Sequence, residues 1–313
     1  MQHTSFARLS GHHQPHSSRL SVTLAGLILW GLAHAPQMTA ASPPPPAEQA
    51  PLRRFELPDY LATAAVIATY LTVEFTLDGP ESAAITGPAP LVDTPFRDLL
   101  RLRSASARDQ ADRLSDKLWT FSTVYPVAIA IALPLMHGRG FDQTWQLTMM
   151  NLQAFAVSSL LVRLPHKLLG RTRPTAEGCK DDPNYSPFCG STELNLSFYG
   201  GHAAISMTGA GLACAHHQHA DLLGGGLADT LGCAAALSVA GGVFVTRMMA
   251  DKHWFTDQAV ATILGLGVGY GLPTFLYYRP IFDQAAPPGH ALTHLVLPVV
   301  TDGYFGATWL GLL

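Results

Sequence analysis

Six apolar segments punctuate the chain, at approximately 59–77, 118–137, 144–168, 201–217, 229–249 and 256–278, each rich in Ala, Leu, Val and Gly with polar residues scattered through it. They are too long for strands, so the pattern predicts an all-α fold, a bundle of about six helices. Between the first two lies a charged stretch, Arg97 to Lys117, whose acidic and basic residues alternate at helical spacing. It predicts a solvated helix or the start of the second long helix. After Pro280 the pattern changes. HLVLPVV and YFGATWLGL flank Asp302-Gly303, with β-branched and aromatic residues on both sides of a turn signal, and predict a C-terminal β-hairpin.

The N-terminal layout is a further departure. Arg19 precedes the apolar run Leu20 to Leu32, followed by Ala33, Ala35, Ala40 and Ala41, the layout of a secretory signal. Pro36 disfavours cleavage after Ala35, which moves processing towards Thr39 to Ser42. The expected organisation is a signal peptide over 1–41, a Pro-rich linker over 42–58 carrying Pro43 to Pro46, a helical domain over 59–280 and a tail over 281–313. In an exported chain Cys179 and Cys189, which bracket the turn-rich CKDDPNYSPFC, are expected to form a disulfide, and Cys214 and Cys233, in apolar helical stretches, to be buried thiols.

Composition sharpens this picture. Apolar residues make up 48% and charged residues only 13%, a balance that tilts towards a membrane. The net charge of −3, with no basic run, leaves no footprint for nucleic acid.

Three segments carry chemistry. In TRMMADKHWFTD, His253 and Asp257 stand four residues apart on one helical face, where the carboxylate is expected to hold one imidazole nitrogen and free the other as a nucleophile. Arg247 offers a planar fork of donors to an oxyanion. In SFYGGH, Gly200 and Gly201 open an apolar helix whose N–H groups point at an anion, with His202 placed to donate a proton. In HKLLGRTRP, His166, Lys167, Arg171 and Arg173 cluster at a helix end stopped by Pro174, an arrangement that also complements the helix dipole. Two other features invite duller readings. His216, His217 and His219 are expected in a solvated loop rather than a metal site, and Glu74 as a snorkelling or helix-terminal residue.

Taken together and in order, the three segments resemble the signature of the type 2 phosphatidic acid phosphatase and vanadium haloperoxidase superfamily: Lys-x6-Arg-Pro, Pro-Ser-Gly-His and Ser-Arg-x5-His-x3-Asp. The resemblance spans about residues 115–275. Thr246 replaces Ser in the third motif, Tyr199 and Gly200 replace Pro and Ser in the second, and the spacing of the first lands on His166 with Lys167 one residue late. Either Lys167 bends back near Pro165, or His166 substitutes for it.

The resemblance implies a phosphatase acting on a phosphate monoester or pyrophosphate, of a lipid or a small ester. His253 would form a phosphohistidine and Asp257 would hold its tautomer. Arg173, Arg247, Gly201 and Lys167 or His166 would bind the phosphoryl oxygens, and His202 would serve as acid and then base. It implies no metal or other cofactor, with vanadate as an inhibitor or, in the haloperoxidase reading, as the cofactor. Transfer to an acceptor other than water would use the same residues. A catalytically impaired envelope binding or structural protein is the reading from a different class, motivated by Gly200 and the displaced Lys167. The expected location is the bacterial cell envelope with an extracytoplasmic site, in the inner membrane in preference to the soluble periplasm.

Overall fold

The computed structural model describes residues 52–89, 91–278, 294–301 and 304–311. The expected signal peptide, most of the expected linker and the first part of the tail lie outside the described residues.

All six apolar segments are helical, as the pattern predicts. Among the described residues the order is α1 (Leu57–Thr76), α2 (Asp93–Leu100), α3 (Ala105–Met136), α4 (Gly140–Leu168), α5 (Thr175–Asp181), a short 3₁₀ turn (Thr192–Asn195), α6 (Gly201–Ala220), α7 (Leu227–Met249) and α8 (Phe255–Leu266). π-helical turns continue α8 over Gly267–Gly271 and Thr274–Tyr278. Two strands, β1 (His294–Thr301) and β2 (Tyr304–Gly311), pair antiparallel with Thr301 opposite Tyr304, the register of a hairpin.

The charged stretch resolves into α2 and the first turns of α3, whose N-terminus is capped by Ser104 accepting from the Ala107 N–H at 3.2 Å. Gly170, at φ +64°, ends α4 in the left-handed region open to glycine.

Helix α6 is the axis of the bundle, buried on nearly every side between α3, α4, α7 and α8. Its neighbours approach closely because the contact residues are small. A Cβ added at Gly269 would fall 2.1 Å from the Thr208 carbonyl oxygen, one at Gly265 2.5 Å from that of Ala204, and one at Gly209 2.1 Å from that of Ser122. Ser122 is four residues before Pro126, which has no N–H to give back to it, so α3 meets Gly209 at a carbonyl freed of its helical donor.

The exterior is apolar while the polar groups turn inward. Leu61, Phe75, Phe121, Val124, Phe141, Leu231 and Ile263 are exposed, whereas Gln146, Asn151 and Gln153 of α4 are buried. These amides bond to partners on other segments: Gln146 accepts from the Phe55 N–H, Asn151 donates to the Pro126 carbonyl, and Gln153 joins Thr63 to Tyr277. Helices α3, α4, α7 and the α8 continuation to Tyr278 are long and apolar enough to cross a membrane.

Both cysteine pairs are bridged. Cys179–Cys189 closes the loop after α5 as expected. Cys214–Cys233 is a disulfide between α6 and α7, which corrects the expectation of buried thiols. The pairing follows from tight packing, for the two Cα atoms are 4.4 Å apart, within disulfide reach.

The small contacts on α6 separate glycines by role. Gly269→Ala is expected to lower stability by about 1–3 kcal/mol through overpacking. Gly241→Ala, which meets nothing within 4 Å, is expected to be neutral or to gain up to about 1 kcal/mol from helix propensity. Thermal unfolding of both purified variants checks the contrast.

Candidate active site

The ends of α4 and α7, the first half of α3, the start of α6 and the turn before α8 converge around a cavity of about 310 Å³. Arg173, Arg247, His202, His253, His166 and Gly201 line it, joined by Trp119, Val162, Arg163 and Glu193. The structure therefore brings the three sequence segments to one place.

His253 is buried, and its Nδ1–H donates to the Ser197 carbonyl at 2.8 Å. A carbonyl only accepts, so this bond fixes the tautomer and leaves Nε2 as a bare lone pair. Burial, then the Arg173 and Arg247 charges, push the imidazole well below its usual pKa of 6.5. His202, at the first turn of α6, has Nε2 3.2 Å from Asp116 and its ring tilted against Trp119. Burial and the Arg247 charge lower it to about 3.

Asp257 corrects the expectation that it orients His253. Its carboxylate accepts from the Ser197 hydroxyl at 2.5 Å, from Arg171 at 2.6 Å and from the Trp254 N–H at 3.0 Å. The last bond caps the first turn of α8. Asp257 thus acts on His253 through Ser197, whose hydroxyl it holds and whose carbonyl orients the imidazole.

Lys167 is likewise displaced. Its ammonium turns to the Leu77 and Glu74 carbonyls at the end of α1, capping that helix outside the cavity. His166 takes the cavity position, its Nε2–H donating to the Tyr199 carbonyl at 2.9 Å. Helix α4 runs through Pro165 to Leu168, so the one-residue shift is not absorbed by a bend that would return Lys167 to the site.

Arg173 and Arg247 are the cationic floor. Arg247 pairs with Asp112 at 2.6 Å, Asp112 also holds Lys252 at 3.0 Å, and Arg173 lies 3.5 Å from Glu193. The Nε atoms of both arginines lack a hydrogen-bond partner, which leaves donors for an oxyanion. Burial, then the neighbouring Arg247 charge, lowers Arg173 to about 10, so it remains cationic at neutral pH. Lys252 stands 4.0 Å over the Phe188 ring, in the loop that the Cys179–Cys189 bond closes.

Sequence reasoning missed a supporting layer. Arg171 is buried between Asp93 and Asp257, 2.6 Å from each, and Asp93 also accepts from the Thr256 N–H at 2.9 Å. Arg97 grips both oxygens of Asp251 at 2.7 and 2.9 Å, and Tyr185 donates to the same carboxylate at 2.9 Å. Asp251 has φ +61°, a left-handed conformation that lets the chain turn from α7 towards His253. Asp112 and Asp116 lie in the charged stretch expected to be solvated, yet they face the site. Only the i, i+4 spacing of these two carboxylates signalled a shared face.

The remaining expectations concern His216, His217 and Glu74. His216 and His217 are buried on α6, contrary to the solvated-loop reading: His216 bonds Tyr278 and Asn151, and His217 bonds Asp229 and Tyr125. Glu74 is ion-paired with Arg163 at 2.6 Å beside the cavity.

Three histidines, three arginines and a glycine-led helix start around one cavity form, in a helical bundle, a cationic pocket with the chemistry to hold an oxyanion. Residues 144–281 match the family model described as the PAP2 superfamily, which supports membership of that superfamily. Its members are phosphoesterases, which supports an enzyme acting on phosphate esters. No curated protein and no solved structure matches the chain.

Removing Arg171 tests the supporting layer. Arg171→Met leaves two buried carboxylates facing each other and is expected to cost about 3–5 kcal/mol. Chemical denaturation of the variant against wild type reads that loss.

Proposed function

We propose that this protein hydrolyses a phosphate monoester or pyrophosphate, of a lipid in preference to a soluble ester, through a phosphohistidine on His253. The observation that carries the reading is the bare Nε2 of His253 in one cavity with Arg173 and Arg247. In the reaction, Nε2 donates its lone pair to phosphorus as the bond to the leaving oxygen breaks. The two arginines, with the N–H groups at the start of α6, take up charge on the equatorial oxygens. These fixed cations supply the electrostatic work that metal ions perform in other phosphatases, so no metal enters the scheme.

The depressed pKa of His253 keeps the nucleophile neutral when the cavity is empty. Burial, then the arginine charges, hold both histidines down, and a phosphate dianion offsets the second of these, which favours protonation of His202 beside Asp116 once substrate is bound. His202 then gives its proton to the departing alkoxide and takes one from the water that opens the phosphohistidine. Asp116 stands where it stabilises the imidazolium before the first of these transfers and after the second. Vanadate, as a phosphate mimic, is proposed as an inhibitor at this cavity.

Apolar Trp119, Val162 and Ile205 in the cavity wall, together with four helices fit to cross a membrane, support a lipid substrate. The two disulfides support assembly in an oxidising compartment, and we place the active site on the extracytoplasmic side of the cell envelope.

Purified protein is expected to release phosphate from phosphatidic acid, undecaprenyl pyrophosphate or an aryl phosphate in the presence of chelator, and His253→Ala to lose at least about 10³-fold. Release abolished by chelator, or retained in His253→Ala, sinks the histidine mechanism. No release from wild type favours the catalytically impaired reading.

The pH profile gives an independent check. Protonated His253 has no lone pair, so activity is lost as pH falls through its pKa, and the acid limb of kcat/KM is expected below 6.5. Arg173→Gln removes a charge that depresses this pKa and is expected to move the limb upward. A limb that stays in place or moves downward contradicts the assignment.

A further inference from the structure

At the start of α6, one residue before the cavity-lining Gly201, Gly200 carries no side chain, so the donor that a serine would supply there is missing. The space is nevertheless filled. A Cβ built at Gly200 would lie 2.5 Å from Oε1 and 3.5 Å from Nε2 of Gln258, so the carboxamide occupies the volume into which any side chain at Gly200 would project. Gln258 follows Asp257 on α8, is completely buried, and has no hydrogen-bond partner at either Oε1 or Nε2.

Buried polar groups are ordinarily paired, and an amide with both ends unmatched is a group awaiting a ligand. The two ends of a carboxamide exchange by a half-turn about its last side-chain torsion, so Nε2–H can be presented where Oε1 now lies. The neighbouring backbone is fixed. The Gly200 N–H donates to the Asp257 carbonyl at 3.3 Å, which ties the start of α6 to the turn carrying Gln258, and Gly201 lines the cavity.

We infer that the Gln258 carboxamide replaces the side-chain donor absent at Gly200, donating Nε2–H to a phosphoryl oxygen bound at the α6 N-terminus. The residue reaches the site across α8 rather than along α6, and glycine at position 200 is what admits it. This assignment rests on the phosphatase reading above. It makes Gly200 part of an exchange between two helices: a serine hydroxyl with a small residue at 258, or a glycine with glutamine.

The test combines turnover with vanadate inhibition in wild type, Gln258→Met, Gln258→Ala and the double variant Gly200→Ser/Gln258→Ala. Methionine fills a similar volume without a donor. Gln258→Met is expected to lower kcat by about 10- to 10³-fold, the range for loss of one oxyanion donor, and to weaken vanadate inhibition, with its melting temperature close to wild type. The double variant is expected to recover at least tenfold over Gln258→Ala.

Gln258→Met with wild-type kcat and vanadate inhibition overturns the inference by showing that the residue only fills space. Failure of the double variant to recover activity while remaining folded also overturns it, even where the methionine variant is too unstable to read. Loss of both turnover and vanadate binding in wild type itself counts against the phosphatase reading instead, and so keeps the two failures distinct.

Discussion

A single buried guanidinium holds the site together. Arg171 joins Asp93 at the start of α2 to Asp257 in the first turn of α8, and it does so from the segment just after α4. Three remote parts of the chain are thereby fixed to within the length of one side chain. Such a triad is poor as a source of net stability, because desolvating three charges offsets most of their attraction. Its value is positional. Asp257 holds the Ser197 hydroxyl, and the Ser197 carbonyl holds His253, so the orientation of the imidazole passes back through two hydrogen bonds to Arg171.

The cavity is correspondingly layered. Groups that face it, Arg173, Arg247, His202 and His253, retain unused donors or a lone pair. Groups behind them, Arg171, Arg97, Asp93 and Asp251, are ion-paired with one another, although the Arg171 Nε has no partner. Asp112 and Asp116 stand between the layers, balancing Arg247, Lys252 and His202 without entering the supporting triad. Charge is therefore left available at the surface of the cavity and cancelled one layer deeper.

Much of this was legible in the sequence, and the reasons it stopped are physical. Helices of bundle length follow from runs of apolar residues, and the hairpin from β-branched and aromatic residues on both sides of Asp302-Gly303. Convergence of His253, His202, Arg173 and Arg247 followed from motif order. Their partners did not, because hydrogen bonding is decided by tertiary approach: the four-residue spacing of His253 and Asp257 put both on one helical face in principle, yet α8 begins only at Phe255, so His253 precedes the helix. The same holds for Lys167, where one residue of register rotates the side chain out of the cavity and towards α1. Asp112 and Asp116 looked like surface charges because nothing in their neighbourhood reveals that α7 will present Arg247 to them. Cys214 and Cys233 stood in separate apolar segments whose close approach depends on packing along α6.

The inward-facing amides of α4 bear on how the chain is assembled. Gln146, Asn151 and Gln153 draw partners from Phe55, α1 and α3, which precede them, but also from His216 on α6 and Tyr277 in the π-helical continuation of α8. A polypeptide emerging from its N-terminus therefore carries α4 with part of its polar stripe unmatched until the last helix arrives. Closure of the bundle is then a late event in biosynthesis, and a chain truncated before Tyr277 leaves amide groups exposed to an apolar surround, where quality-control proteases and chaperones find them.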